Sequence, residues 1–260
     1  MAPLPALFVS HGAPTLPLET SAANAFLSGL GREIGRPRAI LVVSAHWETD
    51  APAVSAASAP ETIYDFYGFP RELHRLRYPA PGAPQLAQRA AGLLRAQGLP
   101  AVIDPARGLD HGAWTPLILM YPEADIPVTQ LSVQPAAGPA HHYRLGEALR
   151  PLRDEGVLIL GSGGITHNLH EFRGRGRDDA PPAWVAEFNE WIAAVLQSAR
   201  WQDLVDYRAR APQAARNHPT EEHLLPLFVA AGAVREQGRA ARLHASYAYG
   251  VIGMDAYRFD

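Results

Sequence analysis

Three segments of this 260-residue chain share one design: an apolar run, a few small residues, then a histidine. They are Ala6-Leu7-Phe8-Val9 leading to Ser10 and His11, and Ala39-Ile40-Leu41-Val42-Val43 leading to Ser44, Ala45 and His46. The third is Val157-Leu158-Ile159-Leu160, which meets Gly161-Ser162-Gly163-Gly164 and then His167. Runs without polar alternation fit strands buried on both faces, the condition of a parallel sheet with helices on each side. In open α/β sheets, ligands bind beyond the carboxyl ends of the strands. A single strand-end histidine needs no more than a backbone hydrogen bond to explain it. If these strands are parallel neighbours, however, three imidazoles meet at one sheet edge. Packing does not explain that convergence, and a metal or catalytic site requires it.

The rest of the chain alternates accordingly. Strand-like runs lie near 5–9, 39–45, 100–103, 126–132, 157–161 and 244–252, with helical patterns between them. The segment 83–98 places Leu86, Ala90, Leu93 and Leu94 on one face and stops at Gly98. The segment 181–197 opens with prolines and spaces Trp184, Phe188, Trp191, Ile192 and Val195 as a buried helical face. This order predicts an α/β fold: a three-layer α/β/α sandwich over a mostly parallel, mixed central sheet, with residues 1–260 as a single domain. The last strand, with no helix after it, is the one expected to run antiparallel.

Two absences narrow the chemistry. The chain has no cysteine, which excludes thiol nucleophiles and thiolate-held zinc. All 23 basic residues are arginine, which excludes Schiff-base lysines and the lysine of a phosphate-binding loop. Against these stand 11 histidines, so any metal here is held by nitrogen and oxygen. A net charge of −3 with scattered arginines predicts no nucleic-acid partner, and the basic run Phe172 to Arg177 reads as a solvated loop. No apolar stretch approaches the ~18 residues of a membrane span, and no signal-peptide pattern opens the chain, so a cytoplasmic location is expected.

Two more histidines sit in suggestive settings. His111 follows a Gly-Leu-Asp turn before the apolar segment Trp114 to Tyr121. His223 lies in a helix entry, His218-Pro219-Thr220-Glu221-Glu222-His223, one position from an apolar face of Leu224, Leu227, Phe228 and Ala231. His218 is read as a capping residue, and His74, His141, His142, His170 and His244 receive no role. An aromatic loop with Tyr64, Phe66, Tyr67, Phe69 and Tyr78 reads equally as a pocket wall or as a satellite hydrophobic cluster.

Taken in order, the motifs SHGAP, SAHWET, YDFYGFP, YPAPG, GLDHGAWTPL, GSGGITHNL and PTEEHLLPL resemble the class III extradiol ring-cleaving dioxygenases, in their 4,5-DOPA extradiol dioxygenase-like branch. The resemblance spans about Phe8 to Gly250. It implies the sandwich fold already expected and one divalent metal ion held by His11, His46 and His223. It also implies that His167 serves as acid/base and that His111 stands close to substrate. Some members of the wider class complete the metal site with a glutamate; here the matching residue is His223, with Glu222 beside it.

The implied chemistry is the opening of a catechol-type, DOPA-like substrate by dioxygen to a muconic semialdehyde. Iron(II) is expected for that reaction, and zinc(II) also suits three neutral ligands. A zinc-dependent hydrolase on the same three histidines is the rival from another reaction class. A third reading makes the protein a non-catalytic binder.

Overall fold

The apolar runs form strands in the computed structural model, which describes residues 3–234 and 238–260. In chain order the strands are β1 (Ala6–Ser10), β2 (Ala39–Glu48), β3 (Ala53–Ser55), β4 (Val102–Asp104), β5 (Val128–Val133), β6 (Val157–Gly163), β7 (Ala240–His244), β8 (Tyr247–Ala248), β9 (Ile252–Gly253) and β10 (Ala256–Phe259). The helices are α1 (Ala22–Ile34), α2 (Pro84–Ala96), α3 (His111–Met120), α4 (Gly138–Leu149), α5 (Pro151–Asp154), α6 (Ala183–Gln197), α7 (Trp201–Val205), α8 (Tyr207–Arg210), α9 (Ala214–Asn217) and α10 (Leu225–Gly232).

The main sheet runs β4-β3-β5-β2-β6-β1-β10-β7. Its centre, β5-β2-β6-β1, is parallel throughout. Beyond β1 the chain adds β10, which pairs antiparallel with both β1 and β7, the edge strand; β10 lies after the 244–252 segment expected to run antiparallel. On the other side β3 runs antiparallel to β5, so the sheet is mixed as expected. The placement of β6 between β1 and β2 is decisive, because it brings the three histidine-tipped strand ends together.

The central strands divide their side chains between two cores. Ala6, Phe8, Leu41, Val43, Val157 and Ile159 join the core shared with α2, α4, α6 and α10. Leu7, Val9, Ile40, Val42, Leu158 and Leu160 join the opposite core, with Leu27 and Leu30 of α1 and Trp114 and Leu117 of α3. Successive side chains of a strand point to opposite faces, so a run that is apolar at every position serves both cores.

Two sequence expectations are corrected. The strand expected over 244–252 is interrupted: β7 ends at His244, a small β8–β9 pair follows, and the chain re-enters the sheet as β10. Tyr249 and Gly250 both take positive φ, 54° and 66°, which breaks an extended chain. The helix expected from Pro219 starts instead at Leu225, with Pro226 in its first turn. His218 therefore does not open this helix; it is the C-cap of α9, its backbone N–H donating to the Ala214 carbonyl. It is fully buried, and its Nε2–H donates to the Ile165 carbonyl at 2.7 Å.

The entry to α10 rests directly on β6. A Cβ at Gly161 would collide with the Pro226 carbonyl, and one at Gly163 with the His223 carbonyl. The Gly164 N–H donates to that same His223 carbonyl at 2.9 Å. Glycines in β6 thus let a neighbouring backbone close on the strand and deliver His223 to the sheet edge. Gly161→Ala should lower stability by about 1–3 kcal/mol, the usual penalty of overpacking, read as a lower urea midpoint at unchanged slope.

Candidate metal centre

At the carboxyl edge of β1, β6 and β2 three imidazoles converge. His11 Nε2 lies 3.0 Å from His46 Nε2, and His223 Nε2 lies 3.2 Å from the same atom. His11 directly follows β1, where its N–H donates to Gly163 of β6 at 3.0 Å. His46 belongs to the end of β2, where the register against β5 shifts between Val43 and Glu48. Such an irregularity re-aims a side chain out of the strand's alternation. His223 arrives from the turn before α10. Gly112 completes the fit, since a Cβ there would press on His46 Cδ2 at 3.0 Å and His11 Cε1 at 3.3 Å.

The outer nitrogens decide what the inner ones offer. Ser162 commits its hydroxyl proton to the Gly112 carbonyl at 2.5 Å, so at 3.0 Å His11 Nδ1–H is the donor and Ser162 Oγ the acceptor. His223 Nδ1–H donates to Glu222 Oε1 at 2.9 Å. His46 Nδ1 faces Asp65 Oδ2 at 3.6 Å. With the His11 and His223 Nδ1 protons directed outward, their Nε2 lone pairs point at His46 Nε2. Bound at about 2.0–2.1 Å, ligand nitrogens sit roughly 2.9–3.4 Å apart between octahedral and tetrahedral angles, which matches these separations. The donor set therefore fits a divalent cation. Glu222 serves as the outer partner of His223 rather than as a fourth ligand, the arrangement that fixes a metal-binding tautomer.

The surroundings keep these rings neutral. Burial pushes His11, His46 and His223 well below the ordinary histidine range, and mutual repulsion among the histidines adds to it. His167 is lowered to about 4, by burial first and then by His111. Neutral imidazole is the form a metal needs.

His111 begins α3, whose N-cap Asp110 is fully buried. Asp110 accepts from Ser44 Oγ at 2.6 Å, from Arg107 Nη2 at 3.0 Å and from Gln130 Nε2. Asp65 then clamps His111 twice, accepting its backbone N–H at 2.9 Å and its Nδ1–H at 3.0 Å. Burial acts to raise the Asp65 carboxyl, but these bonds and the His111 and His46 rings outweigh it and hold it at about 2. Asp65 and Asp110 escaped the sequence reading. Each signal was present in a quoted motif: an acid among the aromatics of YDFYGFP, and an N-cap residue before the histidine in GLDHG.

His167 stacks on His223, ring centroids 3.4 Å apart and nearly parallel at 10°. Its backbone N–H is tied to the Asn217 carbonyl at 3.0 Å. Among the described residues, the group that shares ligand atoms with His11 and His46 is completed by His223 and not by His167.

These histidines line a cavity of about 720 Å³. The aromatic loop divides in its roles. Phe66 and Phe69 line the cavity, whereas Tyr78 is buried with its hydroxyl donating to the Tyr121 carbonyl at 3.0 Å. Tyr64 donates to the Leu76 carbonyl at 2.7 Å, and Tyr67 stands 95% exposed. The basic run at 172–177 is only partly the solvated loop expected, because Arg177 is half-buried and lines the cavity. His142, without an assigned role, is a core residue that bonds at both ring nitrogens. Among the described residues no helix is long and apolar enough to cross a membrane.

Residues 5–259 match the family described as the catalytic LigB subunit of aromatic ring-opening dioxygenase. The chain is 46% identical over 256 residues to the Beta vulgaris protein named 4,5-DOPA dioxygenase extradiol, covering 97% of this chain and 95% of that one. A protein of the same name from Escherichia coli (strain K12) is 44% identical over 237 residues, covering 88% and 85% of the two chains. The crystal structure of an uncharacterized Escherichia coli K12 protein superposes with a TM-score of 0.81 at 36% identity, over 98% of this chain and 99% of that one.

Glu222→Ala should weaken metal affinity about 10–100-fold with the chain still folded, because the outer partner of His223 is lost. Titration with a competing chelator checks this, and an unchanged affinity would remove Glu222 from the site. The metal-free protein should also lose stability below pH 6.5. His142 and His218 are lowered to about 4 and about 3, in both cases mainly by burial. Between those values and 6.5 the unfolded chain binds protons that the folded chain refuses, so stability falls with falling pH. Each group contributes about 1.4 kcal/mol per pH unit, readable from urea midpoints at pH 7 and pH 5.

Proposed function

Because this chain belongs to the LigB family of aromatic ring-opening dioxygenases and is an extradiol ring-cleaving enzyme, we propose that it opens a DOPA-like catechol to a muconic semialdehyde. The observation that carries the reading is the convergence of three neutral imidazoles, Nε2 to Nε2, in a cavity that two further histidines also line. In this reading His11, His46 and His223 hold one divalent ion, and His167 and His111 act on the substrate. When bound, a redox-active ion such as iron(II) passes electron density between catechol and dioxygen, which redox-inert zinc does not.

The remaining work falls to the side chains. His167, held neutral by burial, takes a catechol hydroxyl proton on its ring and returns it as the ring opens. Its stacking on His223 keeps it beside the ligand set while leaving its edge toward the cavity. His111 keeps its Nδ1 proton on Asp65, so its Nε2 is the acceptor available to a substrate hydroxyl. Phe66 and Phe69 supply apolar wall against which an aromatic ring packs and from which water is displaced. The bond that breaks lies next to the two hydroxyl-bearing carbons, not between them. Both dioxygen atoms enter the product, so catechol and dioxygen balance with no further reductant.

Protein loaded anaerobically with iron(II) should consume one dioxygen per catechol and form a yellow product, and the zinc form should bind catechol without turnover. Ester or amide hydrolysis by the zinc form, with no oxygen uptake by the iron form, would overturn the reading. His167→Ala should keep its metal and its catechol affinity yet lose about 10²–10⁴-fold in ring cleavage, the range of a general acid/base group. Loss of the metal along with activity would make His167 a ligand instead. Turnover near that of the unaltered protein would remove its acid/base role.

A further inference from the structure

Asp65 faces two of the histidines that line the cavity. Its Oδ1 accepts the His111 backbone N–H at 2.9 Å, and its Oδ2 accepts the His111 Nδ1–H at 3.0 Å. The same Oδ2 stands 3.6 Å from His46 Nδ1. The chain builds this contact by joining two segments along their backbones. The Ile63 N–H donates to the Leu109 carbonyl at 2.7 Å, and the Leu109 N–H to the Glu61 carbonyl at 2.8 Å. Trp114 Nε1–H adds a bond to the Ile63 carbonyl at 2.9 Å. Gly108 permits the approach, since a Cβ there would collide with the Glu61 carbonyl. Asp65, two residues beyond Ile63, is thereby set against His111, two beyond Leu109. His111 Nε2 has no hydrogen-bond partner among the described residues, and His111 lines the cavity.

We propose that Asp65 is a positioning residue that fixes which His111 nitrogen carries the proton, so that His111 presents a lone pair and not an N–H to the substrate hydroxyl. The proposal rests on the ring-opening reading, in which a catechol proton is taken up beside the histidines. A carboxylate offers acceptors only, so the ring nitrogen that faces it has to donate. The neutral imidazole then keeps its lone pair on Nε2. The bond from the backbone gives the clamp its polarity. A backbone N–H cannot exchange roles, so an amide at position 65 fits only one way round, with its oxygen on the backbone N–H and its NH2 on the ring. Asp65→Asn therefore turns Nδ1 into an acceptor and moves the proton to Nε2, at nearly unchanged side-chain shape. The cavity then meets a donor where the unaltered protein offers an acceptor.

The test reads the tautomer directly, by nitrogen NMR of zinc-loaded protein carrying isotope-labelled histidine. The His111 ring is identified as the signal lost in His111→Gln, and its nitrogen shifts show which nitrogen bears hydrogen. The unaltered protein should show His111 protonated at Nδ1, and Asp65→Asn should show it protonated at Nε2. Turnover of DOPA by iron-loaded Asp65→Asn should fall about 10²–10⁴-fold at unchanged metal content, the range for a general acid/base group held in the wrong tautomer. Asp65→Glu, which keeps the carboxylate, should keep the Nδ1–H form and recover part of that loss. A His111 protonated at Nε2 in the unaltered protein overturns the proposal without any variant. So does an Asp65→Asn ring still protonated at Nδ1, or turnover near that of the unaltered protein despite an inverted ring. Loss of metal from Asp65→Asn overturns it as well, and makes Asp65 a support of His46 instead. An inverted ring in a protein whose unaltered form opens no catechol would sink the ring-opening reading and keep the tautomer assignment.

Discussion

Three imidazole nitrogens face a single point, and the rest of the site is arranged to hold them there. His11, His46 and His223 meet at 3.0 and 3.2 Å, with the outer protons of His11 and His223 turned toward Ser162 and Glu222. With the His11 and His223 protons committed outward, their Nε2 lone pairs converge on His46 Nε2, a donor set able to hold a cation. The buried Asp110 network behind His46 and His111, and the glycines of β6 beneath His223, serve that same arrangement.

Burial supplies the protonation state the arrangement needs. Removing the rings from water disfavours their charged forms, so His11, His46 and His223 are neutral near pH 7. Desolvation and crowding by like groups act in one direction here, which is why these histidines are pushed so far. The same burial makes the fold sensitive to acid, because the unfolded chain takes up protons at positions where the folded chain has no room for them.

The donor set alone does not distinguish ring opening from hydrolysis, since three nitrogens suit zinc and iron alike. Membership of the aromatic ring-opening family separates the two. The cavity adds what the ligands lack. It has apolar wall from Phe66 and Phe69 and a histidine, His167, stacked on His223. Each of these lies on a connection rather than on a strand, as expected where a rigid sheet positions variable loops.

Local sequence determined the central strands β1, β2 and β6, because an unbroken apolar run is stable only when both faces are covered. It also marked His11 and His46 as strand-end residues, and the ordered motifs identified His111, His167 and His223. The residues that single-sequence reading passed over act across long separations: Asp65 on His111, Ser162 on His11, and Arg177 on Glu19, 158 positions apart. Arg177 read as part of a solvated run because charge patterning sees neighbours in the chain and not the cavity a loop folds over. His218 read as a cap because Pro219 resembled a helix start, whereas Pro226 takes that place and the imidazole turns into the core. Hydrophobic pattern is local and survives in one dimension. Which imidazole nitrogen is free depends on partners that only the closed sheet, with β6 between β1 and β2, brings within hydrogen-bond reach.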